Sequence, residues 1–162
     1  MRAFLLLCLF ALPCVGAATN AEAQIARREA EVALGGAWFL DESVIVHRIA
    51  GGSVRWRLTP RLAVGPEVTY MVGPGSDRDF TLTGNLTWDL RASGVTPFIV
   101  VGGGLFRHSD RFFTRTFSST EGGFTARAGV RIPLTPDWYL APEAGIGWEP
   151  HSRLHIALGR RF

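Results

Sequence analysis

Apolar and polar residues alternate one by one along most of this 162-residue chain. Between residues 80 and 90, Phe80, Leu82, Gly84, Leu86, Trp88 and Leu90 share one face, while Thr81, Thr83, Asn85, Thr87 and Asp89 share the other. Leu62, Val64, Pro66, Val68, Tyr70 and Val72 oppose Ala63, Gly65, Glu67, Thr69 and Met71 in the same way. Phe124, Ala126, Ala128, Val130 and Ile132 oppose Thr125, Arg127, Gly129 and Arg131. Trp138, Leu140, Pro142, Ala144, Ile146 and Trp148 oppose Tyr139, Ala141, Glu143, Gly145 and Gly147. The last segment sets Leu154, Ile156, Leu158, Arg160 and Phe162 against Arg153, His155, Ala157, Gly159 and Arg161. A period of two held this consistently predicts β-strands with one apolar face.

Three further segments, near 29–40, 48–58 and 97–107, are less regular. In the second, Val54, Trp56 and Leu58 still oppose Arg55 and Arg57. In the third, Ile99-Val100-Val101 runs into Gly102-Gly103-Gly104, so the pattern leaves its register open. Three consecutive glycines predict a bulge or a close approach inside a narrow barrel. Tight turns at Thr59-Pro60-Arg61, Ala92-Ser93-Gly94 and Thr135-Pro136-Asp137 alternate with longer polar stretches at 41–47, 73–78 and 108–121, and with a short link at 149–152. The predicted fold is all-β: an eight-stranded antiparallel up-and-down barrel.

The same alternation suits a soluble, lipocalin-like barrel with its apolar face inward. Three features turn that face outward instead. Glu67, Arg127, Glu143 and His155 put charge at mid-strand on the polar face, among Gly, Ala and Thr that fit a narrow lumen. Aromatics on the apolar face gather at two levels, with Trp56, Trp88, Trp138 and Phe162 at one end and Trp38, Tyr70, Phe80, Phe124 and Trp148 at the other. Amphipathic rings collect at membrane interfaces. The chain also ends on an outward aromatic, Phe162. A closed barrel pairs every backbone group within lipid, so the expectation is a transmembrane β-barrel.

The N-terminus reads as a secretory signal: Arg2, an apolar run at 4–12, the breaker Pro13, and a small-x-small site at Val15-Gly16-Ala17. The expected organisation is a signal peptide at 1–17 (1–23 if cleavage follows Ala21-Glu22-Ala23), a polar leader at 18–28, and a barrel at 29–162. Both cysteines, Cys8 and Cys14, fall within the signal, which suits an oxidising compartment. All 17 basic residues are Arg and the net charge is only +3. These arginines are dispersed, with no basic helix, so nucleic acid is not an expected partner.

Alternation, girdles and the terminal Gly159-Arg160-Arg161-Phe162 resemble the small eight-stranded outer-membrane barrels, the outer-membrane protein A-like and protein X-like group. The resemblance covers 29–162 and implies a Gram-negative outer-membrane location. It implies a terminal Phe strand read by the barrel-assembly machinery, and contact with outer-membrane lipid and lipopolysaccharide. The peptidoglycan-binding domain of full-length protein A has no counterpart here. Oligomeric state stays open.

A lumen network is expected among Arg55, Glu67, Arg127, Glu143 and His155, with Glu67 either across the lumen or beside Arg55. Buried charges must be paired. An eight-stranded barrel leaves little more than room for side chains, so the network fills the lumen, and a gate for water or small ions is the alternative. The stretch 108–121 reads as an extracellular loop in which Arg107, Arg111 and Arg115 with Phe112 and Phe113 would hold lipopolysaccharide phosphates or a surface partner. Acyl-ester hydrolysis needs a Ser nucleophile, a His base and a carboxylate. His151-Ser152 and His108-Ser109, with Glu149 and Asp110 nearby, are the candidates, but adjacent strand residues point to opposite faces. The lipid A deacylase family carries its His and Ser two apart, which neither pair does. No catalytic residue, cofactor or metal ligand is therefore expected, because His47, His108, His151 and His155 show no ligand spacing.

Overall fold

The computed structural model describes residues 28–40, 44–148 and 150–162. The signal and its cleavage sites, most of the leader, Asp41 and Glu149 lie outside the described residues. Eight antiparallel strands follow one another: β1 (Arg28–Leu40), β2 (Val44–Arg57), β3 (Leu62–Val72), β4 (Arg78–Asp89), β5 (Thr96–Phe112), β6 (Arg115–Pro133), β7 (Trp138–Gly147) and β8 (His151–Arg161). Each pairs with its sequence neighbour and β8 closes on β1, from Glu29↔Arg161 to Phe39↔His151. The fold is the expected up-and-down barrel, and closure leaves no free edge where the ring is complete.

The exposed face is the apolar one. Leu34 is 70% exposed, Val32 65% and Leu154 55%, while Arg55, Arg127 and Glu143 on the opposite face are at most 3% exposed. Surface of this kind is unstable in water and stable in hydrocarbon, so the barrel is transmembrane. Trp56, Trp88, Trp138 and Phe162 cluster at the end of the tight turns, where Arg28 pairs with Trp56, Leu62 with Trp88 and Trp138 with Arg160. Tyr70 pairs with Phe80 at the opposite, loop end, where the Phe124 and Trp148 rings lie 6.0 Å apart and Trp38 pairs with Val46 and Ser152. Outward Arg160 lies over the rings of Phe162 (5.0 Å) and Trp138 (5.6 Å), which shelter its charge at the rim.

Glycines and prolines set the local detail. β4 and β5 pair without interruption from Arg78↔Ser109 to Asp89↔Phe98, so the three glycines mark a close approach and no bulge. A Cβ on Gly102 would lie 1.9 Å from Asn85 Oδ1, because the Asn85 side chain occupies the lumen space beside it. Pro66 and Pro142 lack an N–H, and opposite them the β2–β3 pairing skips Val54 and Arg55 while β6–β7 skips Val130 and Arg131.

Three expectations at the loop end need correction. Residues 108–121 are not a loop: β5 and β6 continue as a paired hairpin from His108↔Ser119 to Phe112↔Arg115, closed by Phe113 and Thr114. Phe113 takes a φ of 55° there. Ser, Thr and Arg at alternate positions carry no apolar face, so the hairpin left no period to read. His47 lies within β2 and faces the lumen, and His151 and Ser152 begin β8 rather than ending a link.

Gly159 stands directly opposite Tyr139, and a Cβ at Gly159 would lie 2.2 Å from the Tyr139 ring. Gly159→Val is expected to eject that ring from the lumen and cost about 1–3 kcal/mol. The check is the urea midpoint of the bilayer-inserted barrel, read from its heat-dependent gel shift.

Candidate functional site

Alternation sends every second side chain of each strand into the lumen, and those side chains meet in tiers. At the turn end, Glu29 on β1 and Asp89 on β4 share Arg57 of β2, at 2.6 and 2.8 Å. Arg131 of β6 donates to Asp89 and lies 3.8 Å from Glu29. Its guanidinium stacks 4.3 Å from the Phe98 ring centroid, and Tyr139 closes the other side at 5.5 Å. Arg161 reaches within 3.4 Å of Glu29 from the rim.

In the middle tier, Arg55 donates to both oxygens of Glu31, one bond being 2.6 Å. The Tyr139 hydroxyl and Ser53 Oγ donate to the same carboxylate at 2.7 and 3.2 Å. Above them Glu67 of β3 accepts from Thr69 of its own strand and from three other strands. Arg127 of β6 grips it with both terminal nitrogens, one at 2.6 Å, Arg153 of β8 donates at 2.9 Å, and Asn85 of β4 donates at 2.9 Å. Arg127 Nε also donates to Glu143 at 3.0 Å, and His155 Nε2 lies 3.5 Å from that carboxylate. Among the described residues, five lumen carboxylates (Glu29, Glu31, Glu67, Asp89, Glu143) are thus threaded by six guanidiniums (Arg55, Arg57, Arg127, Arg131, Arg153, Arg161). A small cavity lies among Glu31, Gly51, Ser53, Glu67, Arg153 and His155.

The five residues expected in the lumen all face it. Arg127, Glu67, Glu143 and His155 form one cluster, with Glu67 in the across-lumen position. Arg55 does not pair with Glu67: it reaches diagonally across the β1–β2 ladder, where its own partner is Glu29, and both its terminal nitrogens donate to Glu31. Glu29, Glu31, Asp89, Arg131 and Arg153 went unmarked as site residues, although each occupies a polar-face position in its strand. Their alternation was the available signal, but pairing across the lumen leaves no trace in sequence spacing.

Nearer the loop end the lumen turns apolar, with Ala37, Phe39, Ile49, Met71 and Phe106 packed together. The Phe39 ring lies 4.6 Å from those of both His47 and His151. His151 is buried in the lumen while Ser152 is exposed on the opposite face, so the pair makes no dyad.

On the hairpin, pairing divides the expected Arg-and-aromatic group. Arg107 and Arg111 share the lipid-side face with Ser109, whereas Arg115 and Phe117 lie on the other. Phe112 pairs with Arg115, and Phe113 at the tip is 85% exposed. Arg48 and Arg78, not marked from sequence, join the lipid-side face through the register run Arg48↔Val72↔Arg78↔Ser109. Asp110 is tied down by the Ser76 hydroxyl, which donates at 2.7 Å, and by the Arg111 backbone N–H; both bonds hold its carboxyl below the ordinary carboxylate value.

No family model matches the chain and no curated protein sequence is detectably similar to it. Its fold is similar to that of Neisserial surface protein A, at 15% identity and a TM-score of 0.71 over 83% of this chain and 96% of that one. The N-terminal β-barrel domain of OprF from Pseudomonas aeruginosa aligns at 12% identity and a TM-score of 0.64, over 83% and 97% of the two chains. Ail, the attachment invasion locus protein of Yersinia pestis, aligns at 12% identity and a TM-score of 0.53, over 84% and 99%. The chain has the fold of the small eight-stranded outer-membrane β-barrels.

Removing one partner of a buried ion pair costs about 3–5 kcal/mol because the other charge is stranded. Glu67→Ala strands parts of both Arg127 and Arg153 and is expected near the top of that range. Glu143→Ala leaves Arg127 on Glu67 and is expected to cost less. Equilibrium unfolding of both variants in lipid vesicles checks the order, which the contact pattern requires.

Proposed function

We propose that the protein is an integral outer-membrane barrel without enzymatic activity, whose lumen is closed by its ion-pair tiers and whose work is done at its outer surface. The observation that supports this most directly is the traverse of the lumen by Arg127 and Arg153, both ending on Glu67. A solute passing along the axis has to break those bonds, each charge-assisted and in low dielectric. The turn end, carrying both chain ends of the barrel, faces the periplasm, and the β5–β6 hairpin projects outward.

The surface chemistry favours anionic lipid. Arg48, Arg78 and Arg107 face the lipid side next to the loop-end girdle of Tyr70 and Phe80, the level of headgroup phosphates, and Arg111 continues that face outward along the hairpin. Guanidinium matches phosphate bidentately, which a barrel seated in lipopolysaccharide exploits. Ail, of the same fold, was solved in complex with the heparin analogue sucrose octasulfate, itself a polyanion.

Planar bilayers holding the purified protein are expected to show no discrete conductance steps; open-channel steps would restore the pore reading. Arg107→Gln combined with Arg111→Gln is expected to lower binding to lipopolysaccharide-containing vesicles several-fold at low salt and to leave the heat-dependent gel shift intact. The difference shrinks as ionic strength rises, since these charges are exposed. Equal binding by the double variant and the parent would remove the lipid-phosphate role.

A further inference from the structure

At the loop-end mouth, above the apolar layer of Phe39, Met71 and Phe106, two histidines and two aspartates converge from four places in the chain. His47 comes from β2, Asp77 from the 73–77 turn, Asp79 from the start of β4 and His108 from β5. His47 Nε2 lies 2.8 Å from Asp77 Oδ2 and 3.2 Å from Asp79 Oδ2. His108 Nδ1 lies 2.7 Å from Asp79 Oδ1 and 3.5 Å from Asp77 Oδ1. One ligand atom each from His47, Asp77 and Asp79 fall within 4.8 Å of one another. We propose that these four side chains form a divalent transition-metal site, best suited to zinc.

Charge balance sets this cluster apart from the rest of the lumen. Every carboxylate deeper in the barrel meets a guanidinium, whereas among the described residues Asp77 and Asp79 form ion pairs with histidines alone. Arg78, between them in sequence, turns away to the carbonyls of Gly75 and Asp77. A neutral imidazole offers a lone pair and no charge, so two adjacent carboxylates and two imidazoles make a set that a dication completes. Nitrogen and carboxylate oxygen together are donors that zinc accepts. Tetrahedral ligands about 2.0–2.1 Å from zinc stand about 3.3 Å apart, so His47, Asp77 and Asp79, with ligand atoms within 4.8 Å of one another, draw together on the ion, and His108 joins them as the fourth ligand.

Two further observations point to a ligand. Asp77 Oδ1 is enclosed and accepts no hydrogen bond, a buried acceptor left for something else to satisfy. The backbone is also moulded around the donor atoms: a Cβ on Gly73 would lie 2.4 Å from His47 Nε2 and 2.6 Å from Asp77 Oδ2. His47 Nδ1 has no acceptor of its own, so packing against Phe39 holds the ring. The inner wall is sealed, with His47 and Asp79 each 2% exposed, while the His108 side chain at 39% leaves entry from the loop end.

The test uses the detergent-folded full barrel carrying no polyhistidine tag, stripped with chelator and titrated with zinc chloride by calorimetry. Cobalt chloride in parallel reports coordination through its visible absorption. The parent is expected to take up one zinc per chain and to show an intense, tetrahedral-type cobalt spectrum. Asp77→Asn and His108→Gln sit on the water side of the cluster, and the heat-dependent gel shift verifies their folding. Either is expected to weaken zinc binding by about tenfold or more and to flatten the cobalt bands. Absence of stoichiometric zinc binding by the parent, or affinity unchanged in the folded variants, overturns the site and leaves simple His–Asp hydrogen bonding in its place.

Discussion

An eight-stranded barrel is just wide enough for side chains to meet across it, and that width governs what its inward faces carry. Water in bulk cannot hydrate a carboxylate there, so each inward acid needs a protein donor at hydrogen-bonding distance. Below its histidine-lined mouth, the lumen meets this with arginine. Guanidinium is planar, retains its charge and offers five donors, so one Arg127 satisfies Glu67 and Glu143 on two different strands. The absence of lysine from all 17 basic residues follows the same logic inside the barrel, where a single ammonium on a flexible stem would bridge strands poorly.

The tiers also hold the cylinder in shape. Ladder bonds join only neighbouring strands, but Glu67 ties β3 to β6 and β8, and Tyr139 ties β7 to β1. These cross-links resist flattening in a way that ladder bonds cannot. The chemistry not engaged in this cross-bracing lies at the two rims. The turn-end rim holds aromatics sheltering Arg160. The loop-end rim holds the lipid-side arginines and, inside its mouth, the histidine–aspartate cluster.

Much of the barrel was legible because lipid imposes a strict alternation on strands that cross it. β3, β4, β6, β7 and β8 showed their faces directly, and Glu67, Arg127, Glu143 and His155 could be placed inside from parity alone. Where side chains are missing or lipid is absent, that signal fails. Gly102, Gly103 and Gly104 carry no side chain to report a face, and their role emerges only from Asn85 occupying the lumen beside Gly102. Beyond Arg107 the hairpin stands in water, where nothing forces apolar residues to one side, so paired strands looked like a loop. The His47–Asp77–Asp79–His108 cluster was invisible for another reason. Its members come from β2, the 73–77 turn, β4 and β5, brought together by the register of the barrel, and no local spacing encodes that.

The hairpin has one more property. At its root β5 is bordered by β4 as far as Ser109, and the 73–77 turn continues the cover, with Ser76 Oγ accepting from the Arg111 N–H. On the other side β7 gives out near Phe124, the last position met from that flank, by the Trp148 N–H. Along 115–123, one margin of β6 therefore carries backbone donors and acceptors that no neighbouring described strand takes up. A molecule that ends every sheet margin within lipid reopens one in water, asymmetrically, on a single strand. An extended chain laid against that strand would find an acceptor and donor row already straightened, with no ordering of the host left to do.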